Sequence, residues 1–315
     1  MITQLFILLC SLFLVVFCAH YLVEGSSVIA RKLGVSEFVI GMIIIGFGTS
    51  MPELVVSLVG AVNQNADVAV GNIIGSNIFN TAFIIGLSAL ILPIAVTDVN
   101  AKRDIPFLLM ATALFTLFGM SGGGISRLEG IILLAFFGMY LFYIIKSDSK
   151  TYNPDDNPHP SGLLFESLGG SIILVIGSII GLVVGGNLFV DSSCTFGSMV
   201  GISDKVVAVI ILAFGTSLPE LATCIAAIRK NRTQLALGDI IGSNVFNMLM
   251  IIGLSGTIRP LSFANINIID MFMFAGLMVM LYLTQHTTHK GKITRFDGAL
   301  FIGLFIAYIV MLFEI

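Results

Sequence analysis

Ten apolar segments divide this 315-residue chain, and short polar links separate them. A helix crosses the roughly 30 Å bilayer core with about 20 apolar residues, and only helices or closed barrels satisfy their backbone there. A charged fraction of 10%, against about 25% in soluble domains, agrees with such a design. The sequence therefore predicts an all-α integral membrane protein with ten transmembrane helices. The predicted spans are 4–23, 38–62, 68–93, 105–121, 125–145, 163–190, 205–228, 235–258, 266–284 and 295–313.

The ten spans group into two halves of five. We predict a first five-helix repeat over 1–146, a cytoplasmic linker over 147–162 and a second five-helix repeat over 163–315. Twelve of the 15 Lys and Arg residues lie in alternate links, on one side of the predicted membrane. The positive-inside rule then places both termini outside, in the periplasm if the protein lies in a cell inner membrane.

The two halves share a motif. Residues 48–80 read GTSMPELVVSLVGAVNQNADVAVGNIIGSNIFN, residues 215–247 read GTSLPELATCIAAIRKNRTQLALGDIIGSNVFN, and 15 of 33 positions are identical. Because each half has an odd number of helices, the second copy enters the membrane from the opposite face. Inverted repeats usually hold a binding site at the midplane between them. Duplication that only builds a stable bundle is the alternative, but the identities concentrate in Gly, Thr, Ser, Pro, Glu and Asn.

Each copy places one glutamate, Glu53 or Glu220, near the middle of a predicted span. An ionised carboxylate there costs at least about 3 kcal/mol, and the links account for every Lys and Arg. Two central acids without a basic partner predict a bound cation that joins them. A structural alternative stays open, because Ser50 and Ser217 each precede a glutamate by three residues. That spacing fits a capping box, in which the glutamate only satisfies a backbone N–H.

Further oxygen ligands are expected around the two acids. Glycine and proline near each GTS motif predict that the helices unwind, at 46–50 in the first copy, and free backbone carbonyls. A hydroxyl also lies four residues before each glutamate and before Asn80 and Asn247, on the same helix face. These hydroxyls belong to Thr49, Ser76, Thr216 and Ser243. Oxygen ligands suit Na⁺ or Ca²⁺ and disfavour soft transition metals.

Two groups of motif residues have structural interpretations as well. Asn80 and Asn247 could only bridge helices through hydrogen bonds. The motif glycines are expected to permit close helix contact, and they are Gly71, Gly75, Gly238 and Gly242. Asp239 stands where the first copy has Asn72, and both a peripheral ligand and a solvated vestibule residue remain open for it.

The strings GTSMPEL…GNIIGSNIFN and GTSLPEL…GDIIGSNVFN resemble the alpha repeats of the cation/calcium exchanger superfamily, and most of all its prokaryotic sodium/calcium exchanger branch. The resemblance implies that Glu53 and Glu220 bind Ca²⁺ with the carbonyls of Thr49 and Thr216, and that Asn80 and Asn247 complete the centre. One implied Na⁺ site comprises Gly46, Ser50, Glu53 and Ser243. The other comprises Ala213, Thr216, Ser217, Glu220 and Ser76.

The resemblance and the two acids together predict a secondary antiporter that exchanges Ca²⁺ for Na⁺ by alternating access. The first and sixth helices, which carry no ligand motif, are the predicted moving helices. Alternatives are an H⁺- or K⁺-coupled cation antiporter, a cation channel and an intramembrane hydrolase. Asn247 disfavours K⁺, because potassium-dependent relatives have aspartate there, and GTS-x-P-E in place of GNA-P-E disfavours H⁺. We expect no enzymatic activity, no cofactor and no nucleic-acid partner; the transported ions are the substrates.

Overall fold

The structure is a computed structural model, and it describes residues 2–151, 167–200, 213–264, 266–285 and 291–314. These residues form twelve helices and four two-residue strands. The helices are α1 Ile2–Leu33, α2 Glu37–Thr49, α3 Met51–Val62, α4 Ala66–Ile91, α5 Asn100–Ser121, α6 Arg127–Thr151, α7 Leu168–Val200, α8 Ala213–Thr216, α9 Leu218–Arg229, α10 Thr233–Ile258, α11 Ile268–Leu283 and α12 Arg295–Glu314. The strands are β1 Ile94–Ala95, β2 Gly124–Ile125, β3 Leu261–Ser262 and β4 Lys292–Ile293.

Seven of the described helices are long and apolar enough to cross a membrane, and the bent pair of α2 and α3 makes eight. Helix α11 is apolar but has only 16 residues. Helices α8 and α9 overlap the predicted seventh span, of which residues 205–212 lie outside the described chain. The prediction of an all-α, multi-pass membrane protein is therefore confirmed, whereas the count of ten spans stays a prediction.

The helices differ from the predicted spans at their ends. Helix α1 runs to Leu33, ten residues beyond the predicted span 4–23. Helix α6 continues to Thr151, so the first five residues of the predicted linker are helical; positions 152–162 of that linker lie outside the described chain. The four strands were not predicted, because two residues are too few for an alternating pattern. Strand β1 pairs with β4 and β2 with β3, both antiparallel.

The secondary structure itself is duplicated. Helix α3 at Met51–Val62 recurs as α9 at Leu218–Arg229, 167 positions later. The same offset of 167 separates Asn77 from Asn244, which are equivalent residues of the two motif copies. Helices α4 and α10 each contain a π-helical segment at matching places, and these segments are Phe79–Ile84 and Phe246–Ile251. Such π segments, which the sequence did not predict, are frequent at functional sites.

The chain packs into two compact units, and each takes segments from both predicted halves. The first unit comprises Met1–Pro52 and Ser147–Asp239, and the second comprises Glu53–Lys146 and Ile240–Ile315. In the first unit, α1 packs along α7 and against α9; in the second, α12 packs along α4, and α11 against α5. The division of the sequence into the halves 1–146 and 163–315 stays a prediction, because each compact unit contains segments of both halves.

Two ion pairs anchor the link between α9 and α10 within the first unit. Lys230 Nζ lies 2.9 Å from Glu24 Oε1 on α1, and an Arg232 guanidinium nitrogen lies 2.6 Å from Glu37 Oε1 at the start of α2. Half-burial lowers the pKa of Lys230, and Glu24 partly offsets that effect. The link after α9 and the ends of α1 and α2 therefore lie on the same side of this unit.

A close backbone crossing in the first unit depends on two glycines. A methyl group on Gly238 would overlap the carbonyl of Phe38, and one on Gly41 would overlap the carbonyl of Leu235. The predicted close contact is thus found at Gly238, whereas Gly242 stays a prediction. The prediction of close helix contact is wrong for the two glycines of the first copy, because no atom of the described residues lies within 4 Å of a methyl group added there. Those two are Gly71 and Gly75.

We expect Gly238→Ala to destabilise the protein by about 1–3 kcal/mol, since overpacking against backbone cannot relax through a side chain. Gly71→Ala, at the equivalent position of the first copy, should leave the unfolding temperature unchanged or slightly raised. Thermal unfolding of both variants in the same detergent measures the difference. Equal effects in the two variants would contradict the close crossing at Gly238.

Candidate cation site

The first GTS motif ends a helix at one residue. Gly46–Thr49 forms the last turn of α2, Ser50 leaves the helix with φ −80° and ψ 11°, and α3 follows at a bend of 49°. Proline explains the break, because Pro52 offers no N–H to the carbonyl four residues before it and its ring crowds that carbonyl. Pro52 is the second residue of α3, where a missing N–H costs little.

The predicted unwinding over 46–50 is wrong in its extent. The Ser50 N–H donates to the Gly46 carbonyl at 3.2 Å, and the Thr49 hydroxyl donates to the Ile45 carbonyl at 3.0 Å. Gly46–Thr49 therefore stays helical, because the Gly46 carbonyl keeps its helical hydrogen bond from Ser50 despite the glycines. A carbonyl oxygen carries two lone pairs, so the Gly46 oxygen retains capacity for a second ligand.

The second copy repeats this arrangement. Helix α8 ends at Thr216, Ser217 leaves the helix with φ −91° and ψ 12°, and α9 begins with Pro219 as its second residue. The Ser217 side chain makes no capping hydrogen bond to α9. Ala213 opens α8, and its side chain lies outside the described part of the chain.

Every candidate side chain that the structure describes is buried, and Thr216 is the most exposed at 8%. Burial removes a carboxylate, an amide or a hydroxyl from water, so each needs a partner or a ligand. A side-chain oxygen that lacks a hydrogen-bond partner in the described chain is available to bind an ion.

Glu220 lies in a cluster of the first unit, and its carboxylate accepts a hydroxyl group. The Ser50 hydroxyl, from the other copy of the motif, donates to Glu220 Oε1 at 2.9 Å. Within the described chain, Glu220 Oε2 has no hydrogen-bond partner, and no Lys, Arg or His nitrogen pairs with Glu220. The serine half of the capping box is absent here, because the Ser217 side chain makes no capping hydrogen bond to α9, and Ser50 donates to the Glu220 carboxylate. A buried carboxylate oxygen is thus left for a cation.

Asp239 lies in the same unit and is only 1% exposed. Its Oδ2 accepts the Thr223 hydroxyl at 2.7 Å, and its Oδ1 lies 3.5 Å from the Thr49 hydroxyl oxygen. The solvated vestibule interpretation of Asp239 is therefore wrong. The hydroxyl of Thr216 has no hydrogen-bond partner among the described residues.

Glu53 lies in the second unit, and its carboxylate also accepts a hydroxyl. The Ser76 hydroxyl donates to Glu53 Oε1 at 3.3 Å. Asn72 donates its amide to the Glu53 backbone carbonyl at 3.3 Å and to the Ser57 hydroxyl at 3.1 Å. Two turns of α4 therefore hold both the backbone and the side chain of Glu53. The predicted groupings of Ser76 with Glu220 and of Ser243 with Glu53 stay predictions.

The two central asparagines differ in their hydrogen bonds. Neither the nitrogen nor the oxygen of the Asn80 amide has a partner in the described chain. Asn247 donates its amide nitrogen to Asn77 Oδ1 at 2.9 Å, and its own oxygen has no described partner. The helix-bridging alternative therefore accounts for the amide nitrogen of Asn247 but not for its oxygen, and for neither amide atom of Asn80. Both amide oxygens are available to a cation.

Asn77 and Asn244 are two residues that our sequence reasoning missed. Asn77 donates its amide to the Asn244 carbonyl at 3.3 Å, and Asn244 donates its amide to the Thr81 hydroxyl at 2.8 Å. They hold α4 to α10 inside the second unit, and Asn77 also accepts the amide nitrogen of Asn247. A signal existed, because both are identical asparagines of the GSN triplet in the two motif copies.

The donor set consists of carboxylate, amide, hydroxyl and carbonyl oxygens. In the described part of the chain no three His, Cys, Asp or Glu residues cluster as a metal site. Hard oxygen donors of this kind suit Na⁺ and Ca²⁺. The class that fold and site define is a multi-pass, α-helical membrane protein with a duplicated motif of buried oxygen ligands.

The chain belongs to the sodium/calcium exchanger protein family, whose model matches residues 3–146 and 170–314. This confirms the resemblance drawn from the two motifs. The chain is 32% identical to the sodium/calcium exchanger MaX1 of Methanosarcina acetivorans, over 98% of each protein. It is also 32% identical to the inner membrane protein YrbG of Escherichia coli, over 98% of this chain and 96% of that one.

A solved structure has the same fold. The sodium-calcium exchanger NCX_Mj, soaked with 2.5 mM Na⁺ and 0.1 mM Ca²⁺, matches with a TM-score of 0.85 and 33% identity. The match covers 98% of each chain.

Proposed function

We propose that this protein is a secondary antiporter that exchanges Ca²⁺ for Na⁺ across the membrane by alternating access. The observation that carries the proposal is the buried Glu220 carboxylate, with one oxygen bound by Ser50 and the other without a partner in the described chain. Family membership supports the ions, since MaX1 is named a sodium/calcium exchanger and NCX_Mj was soaked with Na⁺ and Ca²⁺. Exchangers move ions unchanged, so no chemical conversion is part of the proposal.

In the proposed mechanism, Glu53 and Glu220 bind the same Ca²⁺ and supply two negative charges that neutralise it. Na⁺ ions occupy sites that use the same carboxylates, so Ca²⁺ and Na⁺ compete for them. This competition couples their opposite movements, and an empty site with two buried anions crosses the membrane poorly because an uncompensated charge is costly there. The proposed ligand set is Glu53, Glu220, Thr49, Thr216, Ser50, Ser217, Ser76, Ser243, Asn80, Asn247, Gly46 and Ala213.

The proposed topology has ten spans in two inverted repeats of five, with both termini outside an inner membrane. Recurrence of α3 as α9 and of both π segments at one constant offset supports the duplication. The ion pairs of Lys230 and Arg232 with α1 and α2 support placing these links on one side of the membrane. They join links that the positive-inside rule counts on the same side.

We further propose that α1 and α7 move together between outward-open and inward-open states. Neither helix carries a candidate ligand. They pack along each other within the first unit, where Gly185 leaves room for Val15 and Gly25 for Val175. Small residues allow the close approach that lets two helices move as one body.

Reconstitution into proteoliposomes tests the exchange and its counter-ion. Vesicles loaded with Na⁺, K⁺ or buffer of lower pH are diluted into ⁴⁵Ca²⁺, with the membrane potential clamped by an ionophore. We expect rapid Ca²⁺ uptake only in the Na⁺-loaded vesicles. Equal uptake from K⁺- or H⁺-loaded vesicles would contradict the assignment of Na⁺ as the counter-ion. Uptake without any counter-ion gradient would indicate a channel.

A further inference from the structure

In each copy of the motif, a polar side-chain contact joins the helix that carries the central glutamate to the helix that follows it. These pairs are α3 with α4 in the first copy and α9 with α10 in the second. In the first copy, within the second unit, Asn72 on α4 donates to the Ser57 hydroxyl on α3 at 3.1 Å. It also donates to the backbone carbonyl of Glu53 at 3.3 Å. Asn72 is thus the donor, and the first two turns of α3 supply the acceptors.

The second copy makes the same tie with different residues and reversed polarity. At the positions of Asn72 and Ser57 it has Asp239 and Cys224, so neither of the first copy's partners is present. The hydroxyl is supplied one residue earlier, by Thr223, which replaces a valine of the first copy. Thr223 donates to Asp239 Oδ2 at 2.7 Å. The changes belong together, because an aspartate needs a donor and a threonine hydroxyl provides one.

Asp239 also reaches the helix break that precedes Ser50. Its Oδ1 lies 3.5 Å from the hydroxyl oxygen of Thr49, the neighbour of the serine that donates to Glu220. On the other side, Thr223 lies one turn after Glu220 on α9, and its hydroxyl oxygen is 3.0 Å from the Glu220 carbonyl. Asp239 therefore contacts the residue before Ser50 and the residue one turn after Glu220, all within the first unit.

We propose that Asp239 is a positioning residue for cation binding: it accepts the hydroxyl of Thr223 and lies against the hydroxyl oxygen of Thr49, and so fixes the second turn of α9 against the break at Ser50. Glu220 is thereby held with one carboxylate oxygen on Ser50 and the other directed to the ion. An asparagine at position 239 has no charge, so the hydrogen bond from Thr223 would go to a neutral amide oxygen and would be weaker than the bond to the carboxylate. The inference rests on the proposed function, because the held ligand is a transported cation.

The test compares Thr223→Val, Thr223→Ser, Asp239→Asn and the double variant Thr223→Val/Asp239→Asn. Na⁺-driven ⁴⁵Ca²⁺ uptake gives the Ca²⁺ KM and the maximal rate of each. We expect Thr223→Val and Asp239→Asn to raise KM about 10-fold with a maximal rate within about twofold, since loss of an outer contact of a metal site typically costs roughly 10–100-fold in affinity. Thr223→Ser keeps the hydroxyl and should retain the native KM. The double variant should match the worse single variant, because both changes break one interaction.

Val56→Thr adds a hydroxyl at the equivalent position of the first copy and serves as the matched control, with no expected change in KM. Unchanged KM in Thr223→Val and Asp239→Asn, additive effects in the double variant, or failure of Thr223→Ser to restore KM would each overturn the proposal. The Ca²⁺-induced increase in the unfolding temperature of each variant measures Ca²⁺ binding independently of transport. It therefore tests the role of Asp239 separately from the proposed antiport. If the unmodified protein shows no Na⁺-driven uptake, antiport fails; a smaller Ca²⁺ effect in Thr223→Val then still supports Asp239, and an equal effect overturns it.

Discussion

Glu220→Gln is expected to reduce Na⁺-driven Ca²⁺ uptake by at least about 100-fold. Even residues that only orient a metal ligand cost 10–100-fold when changed, and Glu220 is proposed to bind the ion itself. Glutamine keeps the volume and can still accept the Ser50 hydroxyl, which donates to Glu220 at 2.9 Å. It removes the charge and one of two carboxylate oxygens, so folding should persist while ion binding is lost. Initial rates of ⁴⁵Ca²⁺ uptake in proteoliposomes measure the effect.

The control for this prediction is another acid-to-amide change on the same protein. Asp98→Asn alters a carboxylate with 92% of its side chain exposed, and uptake should remain at the native rate. Glu53→Gln, whose carboxylate accepts the Ser76 hydroxyl in the second unit, should match Glu220→Gln. Native uptake in either glutamine variant, with a normal elution profile and unfolding temperature, would remove that glutamate from the ligand set.

Asn80→Leu is expected to separate transport from stability. The Asn80 amide is buried, and neither of its atoms has a hydrogen-bond partner in the described chain. A buried polar group without a partner costs about 1–3 kcal/mol, so leucine, which is close to it in size, should leave the ion-free protein equally or more stable. If the Asn80 oxygen binds the transported ion, Ca²⁺ uptake should nevertheless fall about 30-fold. Unfolding temperature without ions and uptake rate give the two readouts.

Asn77→Leu provides the matched comparison on the same helix. Asn77 accepts from Asn247 at 2.9 Å and donates to the Asn244 carbonyl at 3.3 Å, so its loss should lower the unfolding temperature. A stable Asn80→Leu variant beside a destabilised Asn77→Leu variant would assign the first amide to ion binding and the second to structure. Destabilisation of both, with native uptake in Asn80→Leu, would return Asn80 to a structural role.

The sequence was sufficient for the family and for most helices, because apolar length and a repeated motif are local signals. Glu53 and Glu220 were found as buried acids from their position alone, and both are 0% exposed. The extent of the break at 46–50 was wrong, since glycine propensity was weighed without the Ser50-to-Gly46 and Thr49-to-Ile45 hydrogen bonds that keep this turn helical.

Contacts between distant segments were beyond the sequence argument. The capping-box spacing paired each serine with the glutamate three residues later, whereas the Ser50 hydroxyl donates to Glu220 in the other copy. Gly71 and Gly238 occupy equivalent positions, yet only the second has backbone within reach of an added methyl in the described chain. Identical residues in two copies meet different neighbours, and that difference appears only in three dimensions.

Anomalous diffraction from crystals soaked in Sr²⁺, with a Na⁺-soaked crystal as reference, tests the central claim most directly. We predict one strong buried peak, with carboxylate oxygens of Glu53 and Glu220 both within about 2.6 Å, and loss of this peak at high Na⁺. A peak that contacts only one of the two glutamates, or one that persists unchanged in Na⁺, would contradict a shared site at which the two ions compete.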